Sequence, residues 1–91
     1  ADRRKAAIAA LRVIKHPEAI EEIMKGVQDT DRQVRLEALE ALANFAKDSE
    51  YRVFVGKGVL DYRRIAKDRS DPEARRYARQ LCLSIDGRLP K

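Results

Sequence analysis

The stretch DRQVRLEALEALANFAK, residues 31–47, decides the fold. On a helical wheel its apolar residues form two stripes that together cover an arc of about 220°. One stripe holds Val34, Ala38, Ala41, Leu42 and Phe45, and the other holds Leu36, Leu39, Ala43 and Ala46. A lone amphipathic helix on a globule needs an apolar face only a little wider than ~100°. We therefore predict that this helix is packed from two sides and forms a middle layer.

Length and composition bound the rest of the chain. Its 91 residues make one small domain, and 38% charged with only 5% aromatic residues favour an all-α fold. Cys82 is the only cysteine, so neither an intrachain disulfide nor a zinc site built from thiolates is possible. No apolar run approaches a membrane span. We expect a soluble protein of a reducing intracellular compartment rather than a secreted one.

Start and stop signals divide the chain into six helices. Asp31 can cap the central helix, the Asp71-Pro72 pair repeats this signal, and Pro17 marks a further start. Apolar periodicity then predicts helices near 2–15, 17–28, 31–47, 50–55, 57–68 and 71–85. Together they form a single domain, 1–86, with a partial repeat unit at 1–15 and further units at 16–47 and 48–86, followed by a tail at 87–91.

The central helix recurs twice. The pattern Val34-Arg35-x-x-Ala38-x-x-Ala41-Leu42-x-x-Phe45 returns 40 residues later at 74–85, with an apolar residue at every apolar position. It also occurs 31 residues earlier, at 3–14, where it departs only at Arg3. Copies at such periods indicate a helical solenoid, in which stacked units share one continuous core.

The pattern Asp-x-x-Val/Ala-Arg-x-x-Ala-x-x-Ala/Leu at 31–42 and 71–82 resembles armadillo and HEAT repeats. The 31-residue step with one preceding helix at 17–28 looks HEAT-like, whereas 51–85 looks like an armadillo repeat. The resemblance implies a right-handed α-solenoid of about two to two and a half repeats, with a concave face for extended partners. The first copy has no preceding helix and the chain begins at Ala1, so we expect a processed protein, a fragment, or an end covered by another chain.

In such repeats the last helix of each unit lines the concave groove. The polar strip of the central helix would then face a partner. Together with the equivalent residues of the last copy it forms what we call the groove strip: Glu37, Glu40, Asn44, Lys47, Tyr77, Gln80 and Ser84. Armadillo proteins that capture nuclear-import peptides carry a Trp four residues before an Asn here, but Glu40 stands at the Trp position before Asn44. Import-signal binding is therefore not predicted, and the alternative for Asn44 is an ordinary solvated residue.

The first copy presents Ala6, Ala9 and Val13 where the second has Glu37, Glu40 and Asn44. We predict that this N-terminal apolar strip docks on a protein partner or drives self-association. The alternative is that these small side chains merely tolerate exposure.

Basic residues are concentrated in the second half of the chain, within 63–79. Anion contacts could come from Arg63, Arg64, Lys67, Arg76 and Arg79, with Tyr62 and Tyr77 as stacking surfaces for nucleic acid or another polyanion. The alternative is a set of solvated helix faces in which several of these residues pair with nearby carboxylates.

Catalytic chemistry has few candidates. His16 is the only histidine and lies beside Pro17, and Cys82 aligns with Leu42, which predicts a buried thiol. Arg35 and Arg75 lie inside the apolar arc, where a guanidinium needs acceptors. The resemblance to the repeat families implies that this arginine bridges to an acidic residue at the adjacent turn, such as Asp29, Asp31 or Asp71. We predict a non-catalytic protein interaction module without cofactor or metal, and keep nucleic-acid binding as the alternative.

Overall fold

The computed structural model describes residues 2–90. Within them the chain is all α-helical, without a β-strand. Its helices are α1 (Asp2–Leu11), α2 (Pro17–Gly26), α3 (Arg32–Phe45), α4 (Ser49–Val55), α5 (Val59–Lys67) and α6 (Pro72–Asp86), with a 3-10 turn at Gly56–Gly58. The predicted all-α class is confirmed, whereas the division into units 1–15, 16–47 and 48–86 and the handedness of the stack stay predictions.

Side chains cap the helices at two of the predicted starts. The Asp31 carboxylate accepts hydrogen bonds from the backbone N–H groups of Gln33 and Val34, and Asp71 accepts one from Ala74. These bonds satisfy donors that have no partner inside the first turn of a helix. At the other end of α6, Gly87 adopts a left-handed conformation with φ 73°, as expected of a helix stop.

Helix α1 is shorter than predicted: it ends at Leu11 and not near residue 15. The residue before a proline is driven out of the helical region, and His16 is extended, with φ −139° and ψ 142°. The chain turns before it, where the Val13 N–H contacts the Ala10 carbonyl at 3.4 Å and the Ile14 N–H contacts the Leu11 carbonyl at 3.0 Å. Val13 therefore lies in a turn, and its prediction as a helical residue is wrong.

Helix α3 is the middle layer. It packs against α1, α2, α4 and α6, while α1 packs on α2 and α3, and α6 packs on α3 and α5. Both apolar stripes are buried, including Leu42 at 0% and Leu39 at 1% exposure. The predicted two-sided burial is confirmed. Within residues 2–90, α6 makes no extensive contact with α1 or α2, so α1 and α6 lie at the two ends of this stack of described helices.

Gly26, the last residue of α2, lies close to both α1 and α3. A Cβ atom placed on it would lie 2.6 Å from Cδ1 of Ile8 on α1 and 3.1 Å from Cβ of Ala38 on α3. Side chains in real proteins almost never come as close as the first of these distances. The absence of a side chain at position 26 therefore allows α2 to lie against both neighbours.

The second half of the core is closed by α5 and α6. Tyr62 is buried, and its hydroxyl donates a 2.9 Å hydrogen bond to the Val55 carbonyl. Cys82 is a free thiol at 0% exposure, which confirms the predicted buried cysteine.

Arginine–aspartate pairs join successive parts of the stack. Arg4 on α1 forks onto the Asp29 carboxylate with distances of 2.7 and 3.1 Å. Arg32 on α3 forks onto Asp71 at 3.0 and 2.9 Å. The prediction that Arg35 bridges to an acidic side chain is wrong, because its guanidinium donates to the backbone carbonyls of Asp29 and Thr30 at 2.9 and 3.0 Å.

Candidate protein-binding surface

A shallow groove opens between the end of α1 and the second half of α3, and we call it the α1–α3 groove. Its volume is about 350 Å³. It is lined by Arg12, Val13, Lys15, Ala41, Asn44, Phe45, Asp48 and Tyr51. The groove joins the two surfaces that the sequence predicts separately, because Val13 comes from the N-terminal apolar strip and Asn44 from the groove strip.

The floor of the α1–α3 groove is apolar and contains two aromatic rings that pack on each other. Phe45 and Tyr51 meet edge to face, with ring centroids 5.8 Å apart and an interplanar angle of 74°. The Tyr51 hydroxyl donates a 3.3 Å hydrogen bond to the Lys15 carbonyl, which ties α4 to the turn after α1. Burial raises the pKa of Tyr51, and the carboxylates of Glu50 and Asp48 raise it further.

The rim of the groove combines one exposed apolar side chain with polar groups. Val13 is 81% exposed and stands at the mouth. Asn44 is exposed at the α3 edge, and Asp48 and Lys15 supply charges of opposite sign. The surface thus offers an apolar contact with polar hydrogen-bonding groups around it.

Two residues of the groove strip are already engaged within the chain. The Arg12 guanidinium donates to Glu37 at 2.9 Å and lies 3.6 Å from Glu40. All three are partly shielded, with Arg12 28% and Glu37 17% exposed at their side chains. A partner that contacted these carboxylates would have to displace Arg12, so the free part of the strip begins at Asn44. Lys47 is exposed and follows the end of α3 at Phe45.

The remaining predicted residues lie elsewhere. Ala6 and Ala9 are exposed on α1 but do not line the α1–α3 groove. On α6, Ser84 is half-buried, Gln80 is exposed, and Tyr77 lies under the Arg76 guanidinium at 5.2 Å from its ring centroid. None of these three residues lines the α1–α3 groove, and their assignment to a binding strip stays a prediction.

The basic residues of 63–79 are divided between α5 and α6, and two of them are paired with carboxylates. Arg63 forks onto Asp86 with two 2.9 Å bonds, and this pairing lowers the pKa of the Asp86 carboxyl. Arg64 lies 3.4 Å from Asp61, so the expected pairing with nearby carboxylates is confirmed for both. The rest of the set is divided between helices, with the exposed Lys67 at the end of α5 and Arg76 and Arg79 in a separate groove on α6.

Sequence reasoning missed Tyr51 and Arg12 as parts of the groove. Tyr51 belongs to the short helix α4, whose seven residues are too few for a clear apolar face. Arg12 reaches across 25 residues to Glu37. The opposite charges of Arg12 and the two glutamates are visible in the sequence. Which arginine contacts which glutamate, however, depends on how α1 packs on α3.

None of the helices described in residues 2–90 is both long and apolar enough to cross a bilayer. In the same range no group of three or more His, Cys, Asp or Glu side chains is arranged to hold a metal ion.

Comparison with known proteins identifies the repeat. No curated protein and no solved structure gives a significant match. The sequence model of the family described as HEAT repeats matches residues 1–57, which is more than half of the chain and includes α1 to α4. HEAT repeats are generally protein–protein interaction scaffolds and typically non-catalytic. The armadillo-like unit at 51–85 lies mostly beyond the matched range and stays a resemblance. The chain belongs to the HEAT repeat family.

Proposed function

We propose that this chain is a non-catalytic protein-binding module that takes an apolar side chain of a partner segment into the α1–α3 groove. One observation carries the proposal. Val13 is 81% exposed at the mouth of a groove whose floor contains the packed rings of Phe45 and Tyr51.

The free energy of binding would come from apolar burial. Ala41 and Phe45, at 1% and 7% exposure, form a preformed apolar floor. Covering Val13 removes apolar surface from water, which stabilises a complex by ~25 cal/mol per Å² before the costs of association. A groove of about 350 Å³ can receive one or two side chains, at the lower end of the usual range for ligand sites.

Polar groups at the rim would fix the direction of the partner chain. The Asn44 amide both donates and accepts hydrogen bonds, so it can pair with the backbone of an extended segment. Lys15 and Asp48 lie on the same rim. Such an apolar centre within a polar rim is the usual anatomy of a protein interface.

The test replaces Val13 with Glu and uses Val53→Glu as the matched control. Val53 is 73% exposed on α4 and lies outside the groove. Peptides selected on the wild-type chain from a displayed random library should contain an apolar anchor. We expect Val13→Glu to weaken their binding by tenfold or more, roughly the effect of about 1.4 kcal/mol, and Val53→Glu to leave it unchanged.

Far-UV circular dichroism of both variants should show unchanged helicity, because both valines are exposed. Equal binding of the selected peptides by wild type and Val13→Glu would refute the proposed site. So would peptide-induced chemical shift changes that leave Asn44 and Tyr51 unaffected.

A polyanion is the competing ligand, and it predicts a different outcome. Binding of a single-stranded oligonucleotide would weaken steeply with salt and would not depend on Val13. The pairing of Arg63 with Asp86 engages one of the predicted phosphate contacts within the chain, so this observation favours the peptide over the polyanion.

A further inference from the structure

The outward surface of α6, which we call the basic end face, departs from the repeat pattern. It forms a shallow groove lined by Pro72, Arg75, Arg76, Arg79, Gln80 and Leu83. Forty residues earlier, α3 has Leu36, Leu39 and Ala43 at the positions of Arg76, Arg79 and Leu83, and it buries all three to 8% exposure or less. On α6 the apolar stripe is reduced to Leu83, which is 50% exposed.

Within residues 2–90, Arg75, Arg76 and Arg79 form no salt bridge, and the acidic residues nearest to them in sequence contact other arginines. Glu73 contacts Arg32 on α3, and Asp86 forks onto Arg63 on α5. Three arginines therefore surround one exposed leucine. A surface of this kind fits a partner that combines carboxylates with an apolar cavity.

The surface at the junction of α1 and α2, at the other end of the described stack, has those features, and we call it the acidic end face. A groove of about 370 Å³ between the end of α1 and the start of α2 is lined by Leu11, Ile14, His16, Glu18, Ala19 and Glu22. Ile14 is 49% exposed, and Ala19 forms a buried base. Glu18 and Glu22 are both exposed.

Glu22 has a local partner, but a weak one. Its carboxylate contacts Lys25 at 2.8 Å, with the two side chains 57% and 74% exposed. Exposed pairs of this type contribute little to stability, so Glu22 can exchange Lys25 for an arginine of another molecule.

The two end faces match in spacing as well as in charge. Glu18 and Glu22 are four residues apart on α2, and Arg75 and Arg79 are four apart on α6, with Arg76 three before Arg79. Charges at these separations lie one helical turn apart on one side of a helix. Two helices laid side by side can therefore pair both carboxylates with guanidinium groups at once.

We propose that the basic end face of one copy docks on the acidic end face of a second copy, with Leu83 entering the groove beside Ile14. The faces lie on helices at the two ends of the stack, so one copy cannot satisfy its own. The contact is heterologous, and successive copies can add head to tail. Neither face shares a lining residue with the α1–α3 groove, so the proposal is independent of the peptide-binding function.

Other pairings of two copies are less favourable. Two basic end faces would bring arginines together, and two acidic end faces would bring glutamates together. Like charges in contact oppose association, so a symmetric dimer through either face is disfavoured.

The first experiment uses one blocking substitution on each face. Leu83→Asp blocks the basic end face and Ile14→Asp blocks the acidic one, at side chains of nearly equal exposure, 50% and 49%. Sedimentation velocity of the wild type across a dilution series should show species that grow beyond dimers. Each variant alone should be monomeric.

Mixing the two variants distinguishes a heterologous contact from every symmetric one. The Leu83→Asp chain keeps its acidic end face and the Ile14→Asp chain keeps its basic end face, so one junction can form. The other junction would bring two aspartates together and cannot. We expect a discrete 1:1 heterodimer that does not grow. Leu60→Asp, at a leucine 74% exposed on α5, is the matched control and should assemble like the wild type.

A second experiment tests the charges and does not depend on Ile14, whose substitution could disturb folding. Arg76→Glu with Arg79→Glu should weaken association by about tenfold or more. Adding Glu18→Lys with Glu22→Lys in the same chain should restore it. Association of the wild type should also decrease as salt is added.

Four results would overturn the proposal. They are a wild-type chain that stays monomeric at every concentration, a wild-type dimer that does not grow, a mixture of blocked variants that remains monomeric, and assembly that appears only with an added oligonucleotide. The last would assign the basic end face to a polyanion.

Discussion

Truncation of Leu42 to alanine should lower the free energy of unfolding by about 2–5 kcal/mol. The side chain is fully buried, at 0% exposure, within the helix that packs against both ends of the stack. The substitution removes three carbon atoms, and at ~0.8 kcal/mol for each the transfer cost alone is about 2.4 kcal/mol. The remainder depends on how far the neighbouring helices close the cavity. Alanine is the better helix former, so helix propensity cannot explain a loss.

The assay is urea unfolding followed by far-UV circular dichroism. Leu60→Ala is the matched control, because Leu60 is also helical but 74% exposed, and its loss should stay within about 0.5 kcal/mol. If Leu42→Ala proves too unstable to measure, Leu42→Val should cost about 1 kcal/mol from one methylene and a lower helix propensity. Equal effects of the two alanine substitutions, or a loss below about 1 kcal/mol at position 42, would refute the middle-layer assignment.

Three further predictions concern groups whose ionisation depends on the fold. Cys82 should react with a thiol reagent only as fast as the chain opens, because burial blocks access and raises the pKa of its thiol; rapid labelling of the native protein would contradict this. The hydrogen bonds from Arg32 lower the pKa of the Asp71 carboxyl in the folded chain. Its ionised form therefore contributes fully to the free energy of unfolding above the unfolded pKa of ~3.9, and this contribution is lost as the pH falls through the folded pKa. Asp71→Asn should therefore flatten the acid side of the curve of Tm against pH. Burial raises the pKa of Tyr62. The free energy of unfolding should therefore keep the contribution of the neutral phenol below the unfolded pKa of ~10 and lose it as the pH rises above that value. Tyr62→Phe should cost about 0.5–1.5 kcal/mol, measured by urea unfolding at neutral pH, and remove that alkaline loss.

The repeat and its core could be predicted because they depend on local spacing. The double stripe of α3 predicts two-sided burial, and the 40-residue register places Cys82 in the core. Both follow from helical periodicity, which the sequence displays directly. The extent of α1 was misjudged because its apolar period continues through Ile14, while Pro17 imposes an earlier turn.

The candidate sites could be predicted only in part. Val13 and Asn44 were identified as surface residues of two different copies, but their meeting in one groove depends on how α1 packs on α3. The contacts of Arg12 with Glu37 and Glu40 have the same origin. Arg35 donates to carbonyl groups of the turn before its own helix instead of to a carboxylate. Pairs this far apart, or bound to backbone atoms, leave no periodic signal.

The absence of a side chain at Gly26 has a consequence for the angle between α2 and its neighbours, because it lets the helix end lie close to both of them. A methyl group there would press against the end of the Ile8 side chain, which can turn aside, and against Ala38, which cannot. Helix α2 would then pivot away from α3 by a small amount. In a solenoid the rotation between neighbours sets the curvature of the whole superhelix. Gly26→Ala would thus alter the relative positions of surfaces far from residue 26, with little change in composition or helix content.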